Sequence, residues 1–298
     1  MTPGWLWIAF TIFAASGQTA RNAMQRELTA SLGAVGATHV RFLFGAPFAI
    51  LFLIIVLALN HATVPHTSSA FWLWIVAGAL TQIFGTALML MTMEQRSFVV
   101  ATAYIKTEPV FVALLGLMFL ADPITLPMLA AILIATAGVI VVSFNAKANY
   151  GDMRTALLGL GSGLSFAIAA IGFRGAILSL GMPGYVLPAT FTLAIGLVIQ
   201  TIALTLWLMA RNRRALAAMM RLWRPSLFAG FMGAVASEFW FLAFALTSAA
   251  NVRTLGLIDV VFAQGVSRFL FKHHTTPREY AGIAILLAGA ILLVAVHR

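Results

Sequence analysis

Four ionisable side chains, Lys106, Glu108, Glu238 and Asp259, fall inside long apolar stretches rather than between them. A charge at the centre of a membrane helix costs about 2.5–3.5 kcal/mol on insertion scales, so such groups are paired, protonated or in contact with water. Each alternative makes them first candidates for binding a solute or carrying a proton. Tyr104 precedes Glu108 by about one helical turn and shares its face, whereas Lys106 points about 200° away from it. Pro109 removes a backbone donor beside the acid, which frees a carbonyl and predicts a bend at that level. The candidate site therefore comprises Glu108, Asp259 and Glu238, the aromatic residues Tyr104 and Trp240, and Lys106. Three ionised acids and one lysine leave a charge of −2, which favours an amine-bearing solute or a proton carried on a carboxylate. The competing reading is a buried ion pair, Lys106 with Asp259 or Glu238, that only ties helices together.

Four arginines stand closer to the ends of the apolar stretches. Arg21 and Arg41 close the first and open the second on one side; Arg174 and Arg253 lie near the opposite side in the sixth and ninth. Their long stems suit snorkelling to the interface. A sharper reading makes each pair a gate sealing one face of the membrane. Other chemistry finds little support. The chain has no cysteine, which excludes thiol catalysis and disulfides, and no Ser/His/Asp set or metal-ligand cluster shares a helical face. No metal or cofactor is expected, and Lys272-His273-His274 reads as a solvated turn.

The elements that must position these residues follow from composition. The 298 residues are 62% hydrophobic and only 9% charged, against roughly a quarter charged in ordinary soluble domains. Apolar runs of about 20 residues suit spanning helices, and ten are predicted: 4–24, 38–59, 70–93, 98–120 and 126–144, then 155–175, 183–208, 226–247, 252–271 and 278–296. The first run continues into Gln18, Arg21 and Asn22 rather than a small-residue cleavage site, so it is read as a span and not a signal peptide. A polar stretch from Asn145 to Arg154 separates two halves.

The halves echo each other. Glu108-Pro109-Val110-Phe111 returns as Asp259-Val260-Val261-Phe262, Thr125 as Thr276 and Gly138 as Gly289, each 151 positions later. Five spans per half make the second copy start from the opposite side, so the fold predicted is an all-α membrane protein of ten transmembrane helices in two inverted five-helix repeats, 1–146 and 153–298. The net charge of +10 is concentrated in the loops after odd-numbered spans, including Arg211, Arg213, Arg214, Arg221 and Arg224. That placement excludes nucleic acid as the partner and puts those loops in the cytoplasm, with both termini outside. The basic run from Arg211 to Arg224 is expected to meet anionic headgroups.

Thr107-Glu108-Pro109-Val110-Phe111 through Ala121-Asp122-Pro123-Ile124-Thr125, with Gly138-Val139-Ile140-Val141-Val142, resembles the EamA-type drug/metabolite transporters. In the second half the matching stretches are Asp259-Val260-Val261-Phe262, Thr275-Thr276-Pro277 and Gly289-Ala290-Ile291-Leu292-Leu293. The resemblance implies two five-helix repeats in an inner membrane, and export of a small metabolite, amine or amino acid. Members often carry an acid in the turn after spans four and nine; here Asp122 fills the first place and the basic Lys272-His273-His274 the second. They also commonly keep their termini in the cytoplasm, opposite to the loop charge of this chain. The function expected is secondary transport by alternating access, driven by a proton gradient or by exchange, in a lipid-embedded monomer or homodimer. A membrane-embedded lipid enzyme or a lipid-flipping subunit is the alternative, and a signalling scaffold would leave the buried acids unexplained.

Overall fold

A computed structural model describes residues 3–95, 104–143, 153–271 and 276–296. All but the last two residues of the expected linker, 145–154, the first residues of the expected fourth span and the Lys272-His273-His274 turn lie outside the described residues. Every regular element described is helical: α1 (Leu6–Leu43), α2 (Ala46–Leu59), α3 (Ser69–Gln95), α4 (Glu108–Leu120), α5 (Leu126–Ser143), α6 (Met153–Ser179), α7 (Val186–Arg211), α8 (Arg213–Arg221), α9 (Trp223–Leu246), α10 (Ala249–Leu255), α11 (Asp259–Phe271) and α12 (Pro277–Val296). A 3-10 turn, Gly256–Ile258, joins α10 to α11. Helices are what so apolar a chain must form in lipid, because each closes its own backbone hydrogen bonds.

Two features of α1 alter the expected spans. Gly33 adopts φ +68° and ψ 168°, a conformation glycine adopts without steric penalty, and it splits the helix into segments 6–32 and 34–43. The first segment is about 40 Å long, well past the expected end at residue 24, so Arg21 lies within it and not at its edge. Gln25 braces the turn by donating to the Ala37 carbonyl at 3.0 Å. Only Phe44 and Gly45 separate the second segment from α2, so residues 34–59 run on together.

The helices pack in three heavy pairs, α1 with α9, α3 with α6, and α5 with α12. Small residues let the backbones meet, the usual means of helix association in lipid. A Cβ on Gly138 would fall 2.3 Å from the Leu286 nitrogen, and one on Gly289 2.5 Å from the Ala135 nitrogen. The sequence echo thus has a physical cause in α5 and α12. The paired threonines have one too: Thr125 Oγ1 accepts from the Met128 amide at 3.4 Å, and Thr276 Oγ1 from the Glu279 amide at 3.3 Å, each capping its helix.

The outer surface carries Leu126, Leu59, Met118 and Leu73, all more than two-thirds exposed. So apolar an exterior belongs in hydrocarbon, and among the described residues six helical stretches are long and apolar enough to cross it unaided. The chain is a multi-pass membrane protein. Short α8 differs: Asn212 caps it by accepting from the Ala215 amide at 3.2 Å, Ala215 and Met219 are buried, and its arginines stay exposed. The α5–α12 contact sets a test. Gly138→Ala should destabilise the purified protein by about 1–3 kcal/mol, the usual range for overpacking, whereas Gly161→Ala, whose Cβ meets only Leu88 Cδ1 at 3.6 Å, should leave the unfolding temperature unchanged or slightly higher.

Candidate functional site: a charged cavity between two broken helices

Each echo acid begins a helix. Tyr104 and Ile105 are helical, Lys106 and Thr107 form a turn, and Glu108 is the first residue of α4, with Pro109 in the first turn where its missing N–H leaves no gap. The expected proline bend is therefore a full break. In the second half α10 ends at Leu255, the 3-10 turn follows, and Asp259 is the first residue of α11. Both acids thus stand in the first turn of a helix. Ser248 starts α10 by accepting from the Asn251 amide at 3.3 Å. Gly256 lets Trp240 lie across the break, since a Cβ there would sit 2.4 Å from Trp240 Cη2.

The two breaks are joined by crossed ion pairs: Lys106 with Asp259, and Arg253 with Glu108. The Arg253 guanidinium also lies over the Trp240 ring, 4.7 Å from its centre. Trp240 Nε1 donates to Gln18 Oε1 at 3.2 Å, and Gln18 Nε2 donates to Asp259 Oδ2 at 3.2 Å. Arg21 donates to its neighbour Asn22 Oδ1 at 2.7 Å, and Arg41 Nη2 to Ser237 Oγ at 3.3 Å. Arg21 and Arg41 are only 3% and 4% exposed, and neither reaches a carboxylate among the described residues. Arg21 Nη1 and Arg41 Nε lack any hydrogen-bond partner among those residues.

These groups line one cavity of about 660 Å³. Its polar wall comes from α1, the α4 break and α11, and its apolar wall from Ala169, Ala170 and Phe173 on α6 with Trp240, Phe241 and Phe244 on α9. Exposed Arg26, Glu27 and Ala30 mark its mouth. On the opposite side Arg174 binds Asp122 Oδ1 at 3.2 Å and the Phe244 carbonyl at 2.6 Å, and also holds the Thr247 carbonyl. One end is open and the other is clamped.

Seven of the ten residues singled out in the sequence line this cavity: Arg21, Arg41, Lys106, Glu108, Trp240, Arg253 and Asp259. Three do not. Glu238 turns toward α7 and accepts from Thr190; Tyr104 packs on α6, where a Cβ on Gly159 would meet its Cβ at 2.4 Å; Arg174 belongs to the far clamp. The paired gates of the sequence reading therefore divide differently, with Arg253 joining Arg21 and Arg41 around the cavity. His39 is fully buried, its Nε2 2.9 Å from Thr205 Oγ1. Gln18, Asn22, Gln82 and Ser237 also line the cavity and were not anticipated. A signal existed for the first two, because Gln18, Arg21, Asn22 and Gln25 recur at helical spacing through an otherwise apolar span. No three His, Asp or Glu side chains converge as a metal site among the described residues.

The fold and the cavity describe a multi-pass helical membrane protein with a charged chamber at its centre. Residues 4–144 match the model of the EamA-like transporter family. Over 72 residues the chain is 40% identical to solute carrier family 35 member E4 of Rattus norvegicus, a stretch that covers 24% of this chain and 21% of that relative. The matched stretch thus spans about a fifth of the relative's length. A solved structure described as "Crystal structure of protein" shares the fold, with a TM-score of 0.71 and 13% identity over 97% of each chain. The first half of the chain is thus similar to the EamA-like transporter family, and a shorter stretch is similar to a solute carrier. Both likenesses are to transporters and not to enzymes.

The crossed pairs generate a stability test. Glu108→Gln leaves Arg253 without its carboxylate, a loss of about 3–5 kcal/mol where a pair is fully buried, moderated here by the Trp240 contact that remains. Thermal unfolding of the purified protein should show a clear fall for Glu108→Gln and recovery of at least half of it in the Glu108→Gln/Arg253→Gln double variant. Additive losses would mean the pair is not coupled.

Proposed function

We propose that the protein is a secondary transporter that moves a small polar or amphipathic organic solute across an inner membrane, most simply outward, by alternating access. The observation that carries this reading is the cavity: open at one end, clamped at the other by Arg174 and Asp122, and crossed at mid-depth by the ion pairs of two broken helices. Discontinuous helices with their ends at mid-depth are how many secondary carriers bind solute or coupling ion between two rocking halves. Glu108, Asp259 and Lys106 sit where a proton or a solute would compete for these pairs. The driving force in this reading is a proton gradient or exchange, since no ATP-binding loop occurs in the sequence.

Ten spans in two inverted repeats, 1–146 and 153–298, fit this mechanism. They would be residues 6–32, 34–59, α3, the broken 104–120, α5, α6, α7, α9, the broken α10–α11, and α12, with α8 lying on the surface. The packing supports the exchange of halves. Span one on span eight maps onto span six on span three, and the Gly138–Leu286 contact maps onto Gly289–Ala135 with the same offset of 151. Loop charge favours cytoplasmic odd loops, which would make the cavity open inward.

Flux is the direct test. Proteoliposomes holding the protein should accumulate or release a radiolabelled metabolite from a screened panel, and Asp259→Asn or Glu108→Gln should cut the rate at least about tenfold, the scale of a lost charged hydrogen bond. Unchanged flux of a confirmed substrate in both variants would remove these acids from the mechanism. Because the chain has no cysteine, orientation can be read from single substitutions. Arg213→Cys in α8 should react with an impermeant maleimide only from the cytoplasmic side, and Val64→Cys, exposed between α2 and α3, only from outside.

A further inference from the structure

The charge of the cavity is opposite to what the acids alone suggest. In its lining four cations, Arg21, Arg41, Lys106 and Arg253, stand against two carboxylates, Glu108 and Asp259. Both carboxylates are already engaged by Lys106 and Arg253. Arg21 and Arg41 are left over, and they sit together: a Cβ on Gly233 would meet Arg21 Cδ at 3.2 Å and Arg41 Cγ at 3.3 Å, so both stems run over the same glycine. Repulsion acts between Arg41, Arg21 and Arg253, with Asp259 the acid that Arg21 feels. The remaining ionisable groups of the lining do not cancel this surplus. Arg26 and Glu27 are exposed at the mouth and oppose each other in charge, and Glu279 is occupied in capping α12, accepting from the Thr276 amide at 2.6 Å.

Two buried guanidinium groups with unused donors, Arg21 Nη1 and Arg41 Nε, are a poor arrangement for an empty low-dielectric site and a good one for a planar anion. An amine would find no free carboxylate there and would add like charge. Beyond the arginines the wall is apolar, built from Phe173, Trp240, Phe241 and Phe244 with Ala169 and Ala170. We infer that the cavity takes a small organic anion, its carboxylate held by Arg21 and Arg41 and its apolar body lying along the aromatic wall of α6 and α9. This names a substrate class for the transport reading and rests on it for function, but binding can be measured without flux.

The test uses the purified full-length protein in detergent and probes matched in shape. Thermal unfolding is followed with 3-phenylpropionate, benzoate and hexanoate, with 3-phenylpropylamine as the cation and sulfate as the inorganic control. At least one carboxylate should raise the unfolding temperature in a saturable way, while the amine and sulfate should not. Arg41→Gln should weaken that carboxylate at least about tenfold, as expected when one partner of a buried charge contact is removed. Its unliganded unfolding temperature should stay level or rise, because it removes a repelled charge; a purely structural Arg41 would instead lower it. Arg41→Lys, which keeps the charge but not the fork, should fall between the two. No saturable shift by any of the three carboxylates, whether or not the amine gives one, would overturn the assignment. An equal shift by sulfate would reduce it to an adventitious ion only. Flux of some other solute without carboxylate binding would sink the anion site and spare the transporter; carboxylate binding without any flux would do the reverse.

Discussion

Charge in hydrocarbon has to be compensated, and the architecture follows from that requirement. Lys106, Glu108, Arg253 and Asp259 could not be held at mid-depth singly, since each would cost a few kilocalories per mole. They are held as two crossed pairs, Lys106 to Asp259 and Arg253 to Glu108, which span from one broken helix to the other. The pairing requires the breaks. If the segment containing Lys106 and Glu108 stayed helical, the two side chains would project about 200° apart, and only one could reach the second half's broken helix. The two-residue turn before α4 and the 3-10 turn before α11 let cation and acid on each strand of chain face the same neighbour.

The surrounding helices make room for this arrangement. Backbones touch at Gly138 and Gly289 so that α5 and α12 close one flank, while α1 and α9 meet where a Cβ on Gly17 would lie 3.2 Å from Ala236 Cβ. Gly233 on α9 leaves space for the stems of Arg21 and Arg41, and Gly256 for the Trp240 ring. Close packing of small residues at the periphery and large polar side chains at the centre are two sides of one construction: helices that approach closely where they are apolar can stand apart where they enclose the cavity.

How much of this was legible in the chain depended on what each residue does to hydropathy. The acids at 108 and 259 stood out because they interrupt apolar runs, and the threonine and glycine echoes proved to be helix caps and backbone contacts. Arg21 was misplaced to a span's edge for a related reason. A helix that lines a wet cavity carries a polar stripe, and the stripe of Gln18, Arg21, Asn22 and Gln25 looks like the end of a hydrophobic run when residues are averaged along the chain. The same misplacement produced the −2 charge count, which left out Arg21, Arg41 and Arg253 and included Glu238, a residue turned toward α7. Which cation reaches which acid depends on the two turns, and a turn of two or three residues inside an apolar stretch leaves little trace in composition.

The two halves agree in their acids and disagree in their cations. Glu108 and Asp259 correspond at an offset of 151, but the same offset carries Lys106 to Leu257 and Arg253 back to Thr102. Arg21 has a counterpart in Arg174, 153 positions on, while Arg41 at that offset meets Ala194. Even the matched arginines differ in use, since Arg174 is tied to Asp122 and two carbonyls at the clamped end and Arg21 is left facing the cavity. Under the proposed alternating access, a carrier that rocks between two related states needs its paired acids near the axis that relates the halves, where both states can use them, and those are the positions that match. Selection of a solute needs no such symmetry. The surplus of positive charge arises from residues without an equivalent in the other half, or with one put to other use, so in the proposed transport reading the features that distinguish this chamber from a symmetric one are the ones that would set which solute it holds.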